Sequence, residues 1–237
     1  MKKLLISILL LTYCTATFAQ STIHKSSVFI GVGPSVTIGD FGNKDFRDQN
    51  AGLAATGFYI DLGYQHQFSK IVGALVMLKG KSHTIANQYL RYYIPDNSGG
   101  SLGLKSNNWK MGSVLAGLTQ KFALSKNEVF SIEFREAAGV QFTSSPEIEL
   151  LGSLSELAPE FVKQESQLVS SFAYLVGLGF KYQLNRSLGL KAYGDFNSSN
   201  AKFKEYTVKN GNNTFTVPPS EQQIQTIDYG LSFIIGF

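Results

Sequence analysis

The chain has 237 residues, with 21 Lys and Arg against 17 Asp and Glu, and one cysteine. Charged residues make up only 16% of the chain and aromatic residues 13%, whereas ordinary soluble domains contain roughly 25% charged residues. The aromatic content excludes a disordered chain, and the single cysteine excludes a disulfide scaffold.

The first nineteen residues have the three parts of an export signal. Two lysines precede an apolar core, Leu4–Leu11, and a small-residue cleavage site ends at Ala19. We expect cleavage there, which leaves one domain, residues 20–237, with a formal charge of +2 and no cysteine. A net charge this small does not indicate a nucleic-acid partner. A lipoprotein acylated at Cys14 is the alternative, but Tyr13 is too bulky for that motif.

Beyond the signal, apolar and polar residues alternate with the period of two that is typical of β-strands. The longest apolar run, Ile71–Leu78, is far shorter than the roughly 20 residues of a spanning helix. A closed barrel is the other structure that satisfies every backbone group in lipid. The candidate strands are Val28–Val36, Phe58–Phe68, Ile71–Lys81, Trp109–Phe122, Phe130–Phe142, Leu168–Leu184, Leu188–Phe196 and Ile227–Phe237. The third is apolar on both faces, and the phase of the fourth is uncertain.

The connections between these strands alternate between long and short. Long ones cover 39–50, 83–107, 143–166 and 198–221, and short ones cover 69–70, 123–127 and 185–186. Short periplasmic turns and long extracellular loops are typical of outer-membrane barrels. The sequence therefore predicts an eight-stranded antiparallel up-and-down transmembrane β-barrel in outer-membrane lipid, with both termini in the periplasm.

The export signal, eight amphipathic strands, four long loops and a terminal Phe237 resemble the small outer-membrane barrels of the OmpA/OmpX type. The glycine-rich runs Phe29–Gly33 and Gly177–Tyr182 are similar to the PorT-like outer-membrane barrel family. The resemblance implies that the barrel-assembly machinery reads the last strand and its aromatic end, a role carried over to Phe237 only. Phe237 is also, on this pattern, the last lipid-facing side chain.

The predicted inward faces carry charged residues at similar depths. An eight-stranded barrel is just wide enough for side chains to fill it, so we expect no constitutively open pore. An unpaired ion inside would cost several kcal/mol, so these residues should pair in one layer across the barrel. Their role is either a structural polar plug or a gated path for protons or small ions. They are Asp61, Lys79, Glu133, Arg135, Lys191, Asp195 and Asp228.

Glu136 departs from the pattern, because it has the lipid-facing phase of its strand, between Phe134 and Ala138. A local bulge or a protonated carboxyl group would accommodate it. The functional alternative is a lateral docking site for a partner.

The sequence contains few candidate catalytic residues. Ser82 and His83 lie where the third strand meets its loop, but adjacent strand residues point to opposite faces and cannot form a dyad. The three histidines are scattered, so we expect no metal site, no cofactor and no enzyme.

The long loops contain the candidates for contact with a protein partner. Tyrosine and arginine are enriched at interfaces, although the tyrosines could instead form an aromatic girdle at the membrane interface. In the fourth loop, two alternating arms around Asn210-Gly211 predict a β-hairpin. In the third loop, apolar residues at helical spacing within Ile148–Phe161 predict a short lid helix. The contact candidates are Tyr89, Arg91, Tyr92, Tyr93, Phe203 and Tyr206.

The sequence thus predicts an outer-membrane barrel that acts through its surface loops in interaction, adhesion or envelope structure. Three alternatives are an accessory part of a secretion or envelope-assembly machine, a lipid-modifying enzyme acting at the rim, and a soluble lipocalin-like ligand-binding barrel.

Overall fold

A computed structural model describes residues 25–45, 48, 50–86, 102–125, 128–152, 160–210 and 213–237. The predicted signal lies outside these residues. The elements are β1 Ser26–Ile38, α1 Gly39–Gly42, β2 Gly57–Gln67, β3 Val72–His83, β4 Leu102–Ser106, β5 Trp109–Ala123, β6 Phe130–Ser144, β7 Ile148–Gly152, β8 Glu160–Gln164, β9 Leu168–Gln183, β10 Leu188–Phe203, β11 Tyr206–Asn210, β12 Asn213–Val217 and β13 Ser220–Gly236. No helix in the described parts of the chain is long and apolar enough to cross a membrane.

Eight long strands close into a barrel in the order β1-β13-β10-β9-β6-β5-β3-β2. Every neighbouring pair is antiparallel, and β1 pairs with both β2 and β13, so the sheet closes on itself. The predicted eight-stranded up-and-down barrel is confirmed. The phase of β5, which the sequence left uncertain, is now fixed: Leu115 and Met111 face the lumen, and Val114 and Leu118 face outward.

The barrel is apolar outside and polar inside. Large apolar side chains on the outward phase are exposed, as at Leu62, Phe180 and Leu231. Charged and hydroxyl side chains are buried on the inward phase. A barrel in lipid needs this distribution. It is the reverse of a soluble ligand-binding barrel, so the lipocalin-like alternative is wrong.

The short connections and both ends of the described chain lie at one end of the barrel. Tight turns join β2 to β3 and β9 to β10, where the Leu184 N–H donates to the Leu188 carbonyl at 2.9 Å. At the same end, the Phe237 N–H donates to the Ser26 carbonyl at 2.9 Å. The long connections therefore share the opposite end, which we call the loop end.

Three of the long loops combine into a second sheet, which the sequence did not predict. Its order is β12-β11-β8-β7-β4, so the second, third and fourth loops all contribute strands. The hairpin predicted around Asn210-Gly211 is confirmed as β11 and β12. The helix predicted over Ile148–Phe161 is wrong, because β7 and β8 pair with each other in antiparallel register. Their apolar residues matched a helical spacing, but pairing with β4 and β11 decides the local structure.

The first long loop folds inward and caps the barrel at the loop end. The buried Phe41 ring lies 5.5 Å from the Trp109 ring in an edge-to-face arrangement. The Trp109 indole N–H donates to the Gly52 carbonyl at 3.0 Å, which holds the loop against β5. Phe203 from β10 lies 6.0 Å from Trp109 and completes one side of the cluster. We call this group of apolar residues the apolar cap; it comprises Phe41, Ala54, Ile85, Trp109, Met111, Ala201, Phe203 and Ile224.

Candidate functional site

Eight charged side chains are buried in the lumen, and they come from five strands. Alternate residues of a strand face the same side, so β3, β6 and β10 each place two of the eight inside. Seven of them are the residues that the alternation indicated. The eight are Asp61, Lys79, Lys81, Glu133, Arg135, Lys191, Asp195 and Asp228, none more than 7% exposed.

We call these eight residues the lumen ion network. Its centre is a bidentate salt bridge between β6 and β10. Arg135 Nε donates to Asp195 Oδ1 at 2.8 Å, and Nη2 donates to Oδ2 at 2.5 Å. Lys79 Nζ lies 3.0 Å from the same Asp195 oxygen and 2.7 Å from Asp228 Oδ2. Paired hydrogen bonds between guanidinium and carboxylate are strong and fix geometry. Four strands are thereby joined across the lumen.

Asp228 accepts from three further groups. Lys81 Nζ lies 2.9 Å from its Oδ2, the Asn197 amide donates at 2.9 Å, and the Ser35 hydroxyl donates at 2.5 Å. Lys81 was not among the lumen residues predicted from the sequence, because the third strand is apolar on both faces. Its position two residues after Lys79, in the same phase, was the signal that could have identified it.

A second pair lies beside this centre. Lys191 Nζ lies 2.7 Å from Glu133 Oε1, and the Gln65 amide donates to the other carboxylate oxygen at 3.2 Å. Tyr193 connects the two parts. Its hydroxyl donates to Asp61 at 2.8 Å, the Arg135 guanidinium lies 4.2 Å from its ring centroid, and Lys191 Nζ lies 5.7 Å from the same centroid. The charged residues predicted to form one layer therefore form a connected group around Asp195 and Asp228, with the Lys191–Glu133 ion pair beside it.

The network has four acidic and four basic side chains, so its formal charge is zero. Ions out of water are tolerated only when paired with good geometry and further hydrogen bonds. The apolar cap lies above this layer at the loop end. The arrangement can hold the wall rigid and fill the lumen.

These features together decide the structural class. The surface is apolar, the lumen is charged and closed by pairing, and each of the eight barrel strands is paired with two neighbours. The chain is a small transmembrane β-barrel. Its strand order and turns agree with the OmpA/OmpX-type resemblance seen in the sequence, whereas the finer similarity to the PorT-like family stays a prediction.

The sequence matches no protein-family model and no curated protein. Among solved structures, it is similar to Ail, the attachment invasion locus protein of Yersinia pestis, at 14% identity, 90% of this chain, 99% of that chain and a TM-score of 0.45. It is also similar to Neisserial surface protein A, at 10% identity, 90% and 97% coverage and a TM-score of 0.48. A third similar structure is OprG from Pseudomonas aeruginosa, at 12% identity, 91% and 98% coverage and a TM-score of 0.48.

The predicted loop contacts have different outcomes. Phe203 is 8% exposed in the apolar cap, so a partner cannot reach it and that prediction is wrong. Tyr206 begins β11 at the start of the loop-end hairpin. The remaining candidates, Tyr89, Arg91, Tyr92 and Tyr93, lie outside the described residues.

Phe237 lies on the outer surface at the turn end, 60% exposed. Its ring centroid is 6.4 Å from that of Tyr64. The assembly role carried over by resemblance stays a prediction.

Glu136 is half-buried on the outward face of β6. It lies opposite Leu118 of β5 and Val176 of β9, and the pairing is unbroken on both sides of it. An inserted residue would interrupt that register, so the bulge explanation is wrong. The carboxyl group therefore stands among lipid-facing apolar side chains.

Ser82 and His83 point to opposite faces, as the strand geometry predicted. His83 is fully buried against Phe41, whereas the Ser82 hydroxyl accepts from the Asn108 amide at 3.2 Å. These two residues therefore cannot act as a dyad. In the described part of the chain, no group of three His, Cys, Asp or Glu residues is placed to hold a metal ion.

Proposed function

We propose that this protein is an integral outer-membrane protein whose filled barrel supports an extracellular interaction surface in adhesion or envelope structure. The observation that carries the proposal is the neutral lumen ion network beneath an apolar cap. Arg135 joins β6 to β10 with two hydrogen bonds to Asp195, and Lys79 joins Asp195 to β3 on the opposite side of the barrel. A barrel filled in this way is suited to a scaffold rather than to a pore.

The loop-end sheet supplies the surface for the interaction. Among the described residues, β12 and β4 are its outermost strands, so each has one side without a partner strand in that part of the chain. Outermost strands can pair with another chain through their main-chain groups. In this proposal the partner is a protein that adds a strand to the edge at β12.

Two measurements test this function. Purified protein in planar bilayers should give no steady conductance steps, and steady steps would instead support the gated ion path. A photo-crosslinking side chain at the exposed Thr216 of β12 should capture a discrete protein on intact cells. The same side chain at lipid-facing Leu231 is the control, and equal products from both positions would contradict an interaction specific to the edge.

A second candidate function, an accessory component of a secretion or envelope-assembly machine, is favoured by Glu136. A carboxyl group opposite Leu118 and Val176 has a high free-energy cost in lipid. Contact with a polar group of a membrane partner would lower that cost. Co-purification of the barrel with a membrane complex should then be lost in Glu136→Leu and retained in Ala138→Leu on the same face.

A further inference from the structure

The barrel wall is split between β9 and β10 at the loop end. These strands pair from the tight turn up to Ala173 opposite Ser199, where their pairing ends. Above that point, β9 pairs only with β6 as far as Leu168. β10 continues to Phe203 but pairs only with β13. Five residues of β9 and four of β10 therefore face each other across a gap instead of a ladder.

The gap is a bounded cleft. The Gln167 side-chain amide donates to the Lys204 carbonyl at 3.2 Å and bridges the two strands at the top. Between this bridge and the Ala173–Ser199 pair lies a cavity of about 770 Å³. Asp40 and Asn50 from the inward-folded first loop line its inner side. The cleft thus reaches from the outer wall to the first loop, above the lumen ion network.

The lining of the cleft is polar and mostly uncharged. Serine, asparagine and glutamine side chains supply most of its hydrogen-bonding groups: Asn50, Ser170, Ser171, Ser198, Ser199, Asn200 and Gln223. The Ser171 hydroxyl is buried and has no hydrogen-bond partner among the described residues. A buried polar group without a partner is unfavourable, so a hydrogen bond from a ligand to this hydroxyl would stabilise the complex.

The charged lining residues favour an uncharged ligand. Lys202 Nζ lies 2.7 Å from Glu221 Oε1, and the Asn200 amide donates to the other oxygen of Glu221 at 3.0 Å. These two charges offset each other, and Asp40 is left as a net negative charge on the lining. A phosphate group would meet no unpaired cation here.

The cleft lies where the apolar band of the barrel ends. Outward side chains of β10 are apolar up to Phe196 and polar from Ser198 onward. The Tyr174 and Phe196 rings lie 6.1 Å apart just beneath, and Phe172 beside the cleft is 68% exposed. Interfacial aromatic residues mark the level of the lipid head groups. Lower on the same face, outward-facing Gly194 has open space where a side chain would be, which leaves room for an acyl chain.

We propose that this cleft binds the uncharged, polyhydroxylated head group of a membrane glycolipid, with its acyl chains lying over Tyr174, Phe196 and Gly194. Hydroxyl and amide side chains provide both donors and acceptors for sugar hydroxyls, and exposed Phe172 provides an apolar face for a sugar ring. This inference goes beyond the proposed function and does not depend on the loop-end sheet.

The gap itself is tested by disulfide formation in a Cys14→Ser background, which has no other cysteine. Ser170→Cys with Lys202→Cys spans the cleft at positions that would be opposite each other if the pairing continued. Leu178→Cys with Gly194→Cys is the matched control, since those residues are paired in the same two strands. We expect mild oxidation to bridge the control pair and leave the cleft pair largely reduced. Complete bridging of both pairs would overturn the cleft.

The ligand is tested by alkylation of Ser170→Cys, at an exposed position on the cleft lining, with a maleimide in nanodiscs. The discs contain phosphatidylcholine alone, or with added digalactosyldiacylglycerol, or with added phosphatidylglycerol. We expect the galactolipid, at about ten times its Kd, to slow alkylation about tenfold, and phosphatidylglycerol to leave the rate unchanged. Lys25→Cys, exposed at the turn end, is the control and should react equally in all discs.

Each other result would overturn the inference. Equal protection by both lipids would show a slot without head-group selectivity, and no protection by either would show that no lipid binds. Protection by free lactose without protection by the galactolipid would overturn the membrane source of the ligand. The filled-lumen function would stand in all three cases, because bilayer conductance tests it separately.

Discussion

Lys81 Nζ lies 2.9 Å from Asp228 Oδ2 and 2.7 Å from the Thr226 hydroxyl oxygen, deep in the lumen. This contact brings the number of buried cations to four, equal to the number of buried carboxylates. Without Lys81, the lumen ion network would hold an excess negative charge. The contact therefore explains how so many ions are accommodated in a narrow barrel.

Loss of charge balance should destabilise the barrel by an amount that depends on the remaining partners. Arg135→Met removes both hydrogen bonds to Asp195 and should lower the free energy of unfolding by about 3–5 kcal/mol. Lys81→Met should lower it by about 1–3 kcal/mol, because Asp228 keeps Lys79 and Ser35. Urea titration of the barrel refolded in detergent micelles measures both.

Two further variants distinguish charge from packing in the Lys81 result. Adding Asp228→Asn to Lys81→Met should recover part of the loss, since neighbouring substitutions in one network are not additive. Lys204→Met on the exposed surface should stay within about 0.5 kcal/mol of the unaltered protein. If Lys81→Met has no larger effect than Lys204→Met, the balance of charges is not what stabilises the lumen.

Most of the barrel could be predicted from the sequence because a strand in lipid has two unlike faces. Outward residues such as Phe134 contact lipid and are apolar, whereas inward residues such as Arg135 need a polar partner. Apolar and polar residues therefore alternate clearly along most of β6. The segment containing Lys81 was harder, since its inward residues include Leu75 and Met77, which pack in the lumen.

The loop end could not be predicted because its structure depends on contacts between distant segments. β7 pairs with β4, and β8 pairs with β11, across three separate loops. A local apolar spacing near Ile148 carries no information about these partners. The cleft could not be predicted from the sequence either. Ser170 and Lys202 continue the alternation of their strands, although no backbone hydrogen bonds join the two strands at these positions.

The apolar cap should depend on Phe41, which is fully buried between His83 and Trp109. Phe41→Ala leaves a cavity, and such changes in a core cost about 3–5 kcal/mol. Since Phe41 lies in the first loop and not in a barrel strand, we expect local opening first. Fluorescence of Trp109, the single tryptophan, should shift to the red and become more quenchable by acrylamide.

The matched control for the cap is Phe172→Ala, because Phe172 is 68% exposed on the outer wall. It should leave Trp109 fluorescence unchanged. An unchanged spectrum in Phe41→Ala as well would contradict the packing of the first loop against β5.

Glu136→Leu should stabilise the isolated barrel. A charged side chain on the lipid face costs up to about 2–4 kcal/mol for Arg or Lys at the midplane and less for Glu. Replacing Glu136 by an apolar residue between Leu118 and Val176 removes that cost, so we expect a gain of about 1–2 kcal/mol in urea titrations in phospholipid vesicles. Glu136→Gln should give a smaller gain. A loss of stability in Glu136→Leu would mean that the carboxyl group has a stabilising partner within the chain.

Phe237 should matter more for assembly in the cell than for the stability of the finished barrel. Its N–H bond to the Ser26 carbonyl is a backbone contact that Phe237→Ala retains, and its exposed ring lies near only Tyr64 among the ring pairs described. We therefore expect Phe237→Ala to change the free energy of unfolding by less than about 1 kcal/mol. In cells, the same variant should reduce the fraction of heat-modifiable, folded protein in the membrane. Ile235→Ala, on the same outward face of β13, is the control and should assemble normally. Equal assembly of both variants would leave Phe237 with only the role of a lipid-facing side chain.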